Sequence, residues 1–224
     1  MSIVLEAKNI KKVYETENSQ TVIFTGLNFK LMQGEFVAIR GASGAGKSTL
    51  LNILGGLDSP SEGEVFILGK SLTEIRQKHK EHILHRDTIG FIFQNHYLMP
   101  EFTLLENVLM PPLIQGKSRK EAKKIALKAL EEVGLTHRQH HFPNQISGGE
   151  SQRAAVARVM AASPSIILAD EPTGNLDPVN SNRLLDFLET HRQRTKAAIV
   201  MVTHSLDLAQ KSDRILELEN GHWK

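Results

Sequence analysis

Cysteine is absent from the 224 residues, which excludes disulfides and thiolate chemistry and is compatible with a reducing compartment. Excess charge is scarce too. A formal net charge of +2 is too small to mark a nucleic-acid binder, and none is expected as a partner. Long apolar runs are missing. The longest, residues 197–202, has six residues, where a membrane-spanning helix needs about 18 or more. Residues 1–8 hold no extended apolar stretch, so no signal peptide is expected and any membrane contact should come through a partner. There is no internal repeat and no low-complexity linker. What is present is ordinary: 40% hydrophobic and 23% charged residues, enough for one large domain or two small lobes sharing a core.

Strand and helix signals alternate along the chain, which predicts an α/β core with parallel strands. Residues 3–7 and 27–31 read as strands, the second by its period-two alternation. Residues 36–39 form a short buried strand, and a helix over 47–54 should stop at Gly55-Gly56. The turn-rich stretch 58–63 leads to a strand at 64–68, with another at 89–93. From about 96 to 162 strand signals vanish. Helices are expected over 104–110, ended by Pro111-Pro112, over 118–133, ended by Gly134, and from Ser151 onward. The core resumes with strands at 166–169, 197–202 and 214–218 and a helix at 179–192. One interrupted domain fits better than two consecutive ones, with a core of about 1–95 and 163–224 around a helical lobe of about 96–162.

Three stretches carry chemistry. Gly41-Ala42-Ser43-Gly44-Ala45-Gly46-Lys47-Ser48 matches the phosphate loop G-x-x-x-x-G-K-[ST]. Its glycines let successive N–H groups converge on phosphate oxygens, and the helix that follows adds the positive end of its dipole. Lys47 would reach the β- and γ-phosphates, and the Ser48 hydroxyl would ligate Mg²⁺. A purely structural glycine turn would not need the Lys-Ser pair. Asp170-Glu171 closes the strand 166–169, placing two carboxylates at the sheet edge where α/β ligands bind; alternatively they cap the strand and face solvent. Ser147-Gly148-Gly149-Glu150 has the Ser-x-x-Glu spacing of a capping box. A capped helix start with two glycines is also an anion site, so both roles are open.

With Ile146 before it and Gln152-Arg153-Ala154-Ala155-Val156-Ala157-Arg158 after it, that third stretch resembles the signature of the ATP-binding cassette (ABC) family of transporter ATPases. The resemblance runs from Tyr14 to His204, nearly the whole chain. It implies a RecA-like P-loop NTPase core with a mostly parallel sheet, an antiparallel β subdomain and an inserted helical subdomain, with 1–224 as a single ATPase domain. It further implies that Asp170 holds Mg²⁺ and that Glu171 activates the attacking water. Thr49 joins the phosphate loop in binding nucleotide. Tyr14 would stack on adenine, and Gln94 would touch Mg²⁺ and relay contact with the membrane subunit. Asn175-Leu176-Asp177 would cross a dimer interface, and His204 would contact the γ-phosphate. The Ser147–Glu150 stretch of one copy would meet the γ-phosphate held by another. Two departures, Ile146 for the usual Leu and Glu150 for the commoner Gln, leave the Ser-Gly-Gly core intact.

The stretch 169–177 looks like the bacterial branch of lipoprotein-releasing, macrolide-export and cell-division cassettes. Residues 94–108 and 110–114 are most similar to the lipoprotein-releasing members. The resemblance therefore implies an ATP- and Mg²⁺-dependent ATPase at the cytoplasmic face of the bacterial inner membrane. It would form a homodimer on ATP and dock on two integral-membrane permease subunits. Rivals are a macrolide or peptide exporter, the cell-division cassette, and a non-transport ABC ATPase. The last usually carries coiled coils or tandem cassettes, neither present here. A P-loop GTPase is disfavoured by the lack of an Asn-Lys-x-Asp stretch. His79, His82 and His85, spaced by three in an expected helix, and the cluster His137, His140 and His141 lack the ligand pattern of a zinc site and read as surface residues. The run 117–128 reads as a solvated helix face.

Overall fold

The structure, a computed structural model, describes residues 2–16, 19–174 and 176–224. Three apolar runs dominate its centre: β3 (Phe36–Arg40), β7 (Ile166–Asp170) and β8 (Ala198–Val202). Such runs are stable only with both sheet faces covered, the situation of a parallel sheet. They lie parallel with β6 (Ile89–Ile92) and β9 (Arg214–Glu219) in the order β9-β3-β8-β7-β6. A short β10 (His222–Trp223) pairs antiparallel on the β9 edge, a strand the periodicity did not announce. Because side chains alternate between faces, each central strand feeds two cores. Phe36, Ala38, Ile167 and Met201 face one, while Val37, Ile39, Leu168 and Val200 face the other.

The second core is closed by an antiparallel sheet. Its strands are β1 (Ile3–Thr16), β2 (Ser19–Met32), β4 (Glu62–Ile67) and β5 (Lys70–Ser71), in the order β2-β1-β4-β5. β1 and β2 extend well past the expected 3–7 and 27–31. Ile10 and Phe24 in these added lengths are buried in the second core, but charged and polar residues around them and irregular register break the period-two alternation that would mark a strand. α1 (Lys47–Leu54) lies between the sheets, and Leu50, Leu51, Ile53 and Leu54 are buried there. Gly55 closes against ring and methyl atoms of Phe91 and Leu168, which leave no space for a Cβ.

The first core is covered by α4 (Leu104–Ile114), α5 (Arg119–Glu132) and α6 (Gly148–Ala162), with α7 (Pro178–Thr195) beside them. Ser118 caps α5 and Gly134 follows it at φ 71°, as its sequence signals indicated. Pro111-Pro112 does not end α4. The helix runs through both prolines to Ile114, and its last turn closes with the Gln115 amide donating to the Pro111 carbonyl. Burial of Pro112 overrides the two hydrogen bonds that the rings remove. α6 begins at Gly148 rather than Ser151, because the Ser147–Glu150 capping box fixes its first turn.

Two short helices were not expected, α2 (Leu72–Gln77) and α8 (Leu206–Ala209), whereas α3 (Glu81–Asp87) covers part of the helix expected around His79, His82 and His85. His82 and His85 do share α3, but His79 precedes it at φ 53°, outside any helix. His85 is not a bare surface residue. Its ring stands edge-on to Phe91, and Nε2 lies 2.9 Å from the Gly55 carbonyl oxygen.

Candidate active site

Parallel strands share one C-terminal edge, and ligands of open α/β sheets bind there. β3, β8, β7 and β6 are consecutive neighbours, so the residues that follow them fall in a row: the phosphate loop, His204, Asp170-Glu171, and Gln94. Register makes this concrete. Ile39 pairs with Val202, and Val202 pairs with Asp170. The ladder continues past the strands, the Thr203 amide donating to Ile39 O and the Glu171 amide to Val202 O. Residues 41 and 204, far apart in the chain, thereby become neighbours of 170 and 171.

The loop after β3 is shaped by two glycines in the left-handed region. Gly44 has φ 79° with open space around it, and Gly46 has φ 90°, where a Cβ would stand 2.4 Å from a methyl of Ile23. Gly46 precedes α1 without any side-chain cap, and the first turn of α1 holds no acidic residue. The leading N–H groups of α1 therefore keep no side-chain acceptor, the arrangement that favours an external anion. Lys47 is buried, and its Nζ donates to the carbonyls of Gly41 (2.9 Å) and Ala42 (2.8 Å). A cleft of about 440 Å³ opens here. Ser43, Gly44, Gly46, Lys47, Ser48 and Thr49 line one side, and Gln94, Glu171, Gly174 and His204 the other. Ala42 and Ala45 instead line an adjoining cleft of about 600 Å³ toward residues 217–221.

Across the cleft the Ser48 hydroxyl donates to Asp170 Oδ1 at 3.0 Å. Burial pushes the Asp170 carboxyl above its usual range, and the neighbouring Glu171 adds to this, against the Ser48 hydrogen bond and Lys47. Glu171 itself sits at φ 44°, a left-handed conformation uncommon outside glycine, Asn and Asp. Its Oε2 lies 3.0 Å from His204 Nδ1, and the imidazole is otherwise exposed, at 72% against 16% for the Glu171 side chain. The donors around Ser48, Asp170 and Gln94 are a hydroxyl, a carboxylate and an amide, an all-oxygen set that suits Mg²⁺.

A testable consequence concerns Asp170. A carboxyl with a raised folded value favours folding below its unfolded pKa, and that advantage is lost as pH rises through the folded value. Asp170→Asn is expected to raise the nucleotide-free melting temperature at pH 7. The gain should vanish below about pH 4, where the parent carboxyl is protonated as well. Equal melting temperatures at both pH values would refute this.

Other residues singled out in the sequence lie apart from the cleft. Tyr14 does not line it. Its hydroxyl donates to Asp58 Oδ2 at 3.0 Å, Lys12 Nζ stands 4.6 Å from its ring centroid, and its cross-strand partner Thr21 lines the adjoining cleft. Ser147, Gly148, Gly149 and Glu150 do not line it either. They form the tip of α6, where Ser147 and Gly148 face solvent and a Cβ on Gly148 would meet nothing within 4 Å. A Cβ on Gly149 would stand 3.3 Å from Leu176, so Leu176 abuts this tip. Asn175 is outside the described residues. Asp177 caps α7, accepting from the Val179 and Asn180 amides. The protomer thus holds a phosphate-type cleft and a second, separate glycine-bearing helix tip.

Some contacts had no sequence signal beyond residue type. From α6, Gln152 donates to the Phe93 carbonyl (3.4 Å), and Arg158 to those of Tyr97 (2.6 Å) and His96 (3.1 Å). The segment around Gln94 is therefore tied to the α6 helix. Asn107, fully buried, accepts from the Met99 amide and donates to the carbonyls of Met99, Phe102 and Thr103, fixing the chain that follows.

Comparison with known proteins places these features. A family model described as ABC transporter matches residues 24–174. The chain is 45% identical over 225 residues to the lipoprotein-releasing system ATP-binding protein LolD of Psychrobacter arcticus, covering 100% of this chain and 99% of that one. It is 46% identical over 218 residues to LolD of Pseudomonas syringae pv. tomato, covering 97% and 96%. Among solved structures it resembles the ATP-binding cassette MJ0796 in a dimeric post-hydrolysis state with ADP and Pi. There the TM-score is 0.91 and the identity 38%, with 98% of this chain and 96% of that one covered. A second dimeric structure of MJ0796 gives a TM-score of 0.92.

Proposed function

The chain belongs to the ABC transporter family, and on that footing we propose that two copies close around two ATP molecules to drive lipoprotein release from the bacterial inner membrane. It is the ATP-binding, ATP-hydrolysing subunit of such a transporter. One observation carries the shared-site reading: the cleft holds Lys47, Ser48, Glu171 and His204, while the Ser147–Glu150 helix tip of the same protomer lies outside it. A second protomer would supply that tip, each nucleotide being gripped by one copy and closed over by the other. Residues 1–224 would work as one cassette, with the lobe of about 96–162 carrying the tip.

In this reading Gly41–Ser48 and Thr49 bind the triphosphate through backbone N–H groups and the uncapped start of α1. Lys47 exchanges the Gly41 and Ala42 carbonyls for phosphate oxygens. Ser48, Asp170 and Gln94 would hold Mg²⁺, which when bound screens the phosphate charge. Glu171 would take the proton of the attacking water, and His204, whose Nδ1 lies 3.0 Å from the Glu171 carboxylate, would meet the γ-phosphate. Tyr14 offers its ring to adenine, and Asp177 lies beside the shared interface.

No helix among the described residues is long and apolar enough to cross a membrane. We infer attachment at the cytoplasmic face through two integral-membrane permease subunits of the LolC and LolE kind. Purification of the tagged chain from membranes of its source is expected to retain such a pair. Recovery of a macrolide-export or cell-division permease instead would overturn the lipoprotein assignment while leaving the ATPase intact.

A further inference from the structure

The tip of α6 carries an extra negative charge. Glu150 occupies the signature position where glutamine is commoner, and both its carboxylate oxygens are engaged. Oε2 accepts from the Ser147 amide at 2.9 Å, and Oε1 accepts from Arg138 Nε at 3.0 Å. Arg138 ends a single 3-10 turn, Thr136–Arg138, well outside the signature in sequence. Its Nη1 lies 3.3 Å from His141 Nε2. The segment is pinned in turn, since the Leu104 and Leu105 amides donate to the carbonyls of His141 and Gln139. The guanidinium is thus held at the mouth of the helix by fixed partners on both sides.

The charge balance explains why such a cation matters. A helix N-terminus presents about +0.5 of a charge, a carboxylate in its first turn takes that to about −0.5, and a guanidinium beside it restores about +0.5. Arg153 is another cation near the tip, its Nη1 4.0 Å from where a Cβ on Gly149 would stand, but it is turned toward Asn180 and does not pair with Glu150. Loss of Arg138 therefore leaves the Glu150 charge uncompensated and weakens the tip's attraction for a triphosphate. With Arg138 in place, the Glu150 carboxylate stays a capping group, held below the usual carboxylate range by the Ser147 amide and by Arg138.

We propose that Arg138 is a positioning residue of the shared nucleotide site, acting as the counter-charge of Glu150 so that the α6 tip stays attractive to the γ-phosphate held by the other copy. This rests on the two-copy reading above. The test uses the full chain carrying Glu171→Gln, so that ATP is held rather than consumed, and follows ATP-driven dimerisation by light scattering. Arg138→Gln is expected to raise the ATP concentration for half-maximal dimer by about tenfold, less so at high salt. Adding Glu150→Gln, which keeps the capping box but removes its charge, should return the value to within about threefold of the Glu171→Gln protein. A double variant as impaired as Arg138→Gln alone would show that Arg138 merely braces the fold, overturning the proposal. So would Arg138→Gln behaving like its parent. If the Glu171→Gln protein itself stays monomeric with ATP, the shared-site reading fails first and takes this proposal with it.

Discussion

Glu171→Gln is expected to bind ATP like the parent, to lose steady-state hydrolysis by a factor of about 10²–10⁴, and to accumulate as an ATP-bound dimer on a sizing column. The geometry isolates the effect. Glutamine keeps the size of the side chain and can still meet His204, whose Nδ1 lies 3.0 Å from Oε2 in the parent. The Glu171 amide bond to Val202 O involves only backbone, so the left-handed turn at φ 44° has no reason to change. Removing the charge also takes a carboxylate away from the cleft that a triphosphate would enter, which lessens repulsion of the nucleotide. Only the ability to take a proton is lost. Turnover near that of the parent would show that another group activates the water.

Gly148→Asp tests the other half of the site. In the protomer the new side chain meets open space, and an acidic residue in the first turn of a helix is favourable by about 0.3–1 kcal/mol. The isolated chain should therefore fold at least as well as its parent and bind ATP with nearly the same affinity. ATP-driven dimerisation, in contrast, should disappear, because a carboxylate at the α6 tip would face the γ-phosphate of the partner. Equal loss of nucleotide affinity and dimerisation, measured by fluorescent-nucleotide titration and light scattering, would contradict a tip that acts only in trans. The variant separates the two sites because what stabilises the protomer opposes the assembly.

Several elements could be read from local chemistry. The helix at 47–54 appears with the anticipated bounds, because a Gly-Lys-Ser start and a Gly-Gly stop act within one turn of each end. The cap at Ser118 and the box at Ser147–Glu150 are equally local. Prediction failed where a distant contact outweighed a local preference. Pro111-Pro112 should have ended α4, yet burial of Pro112 carries the helix onward. β10 has only two residues and exists because β9 lies beside it. Glu150 showed itself as a capping residue, but its ion pair with Arg138 depends on how the 136–145 segment folds back.

Local order of residues determined which groups this chain carries for nucleotide chemistry: an anion-binding loop with its lysine and serine, two carboxylates after an apolar strand, and a histidine after another. Their side-by-side placement came from the strand order β3-β8-β7-β6, and apolar periodicity marks a strand without naming its neighbour. The separation of the α6 tip from the cleft is likewise a matter of three-dimensional packing, since a helix start looks the same whichever way it points. Spacing along a chain encodes chemistry within a turn or a strand, whereas adjacency across a sheet is set by which buried surfaces fit together.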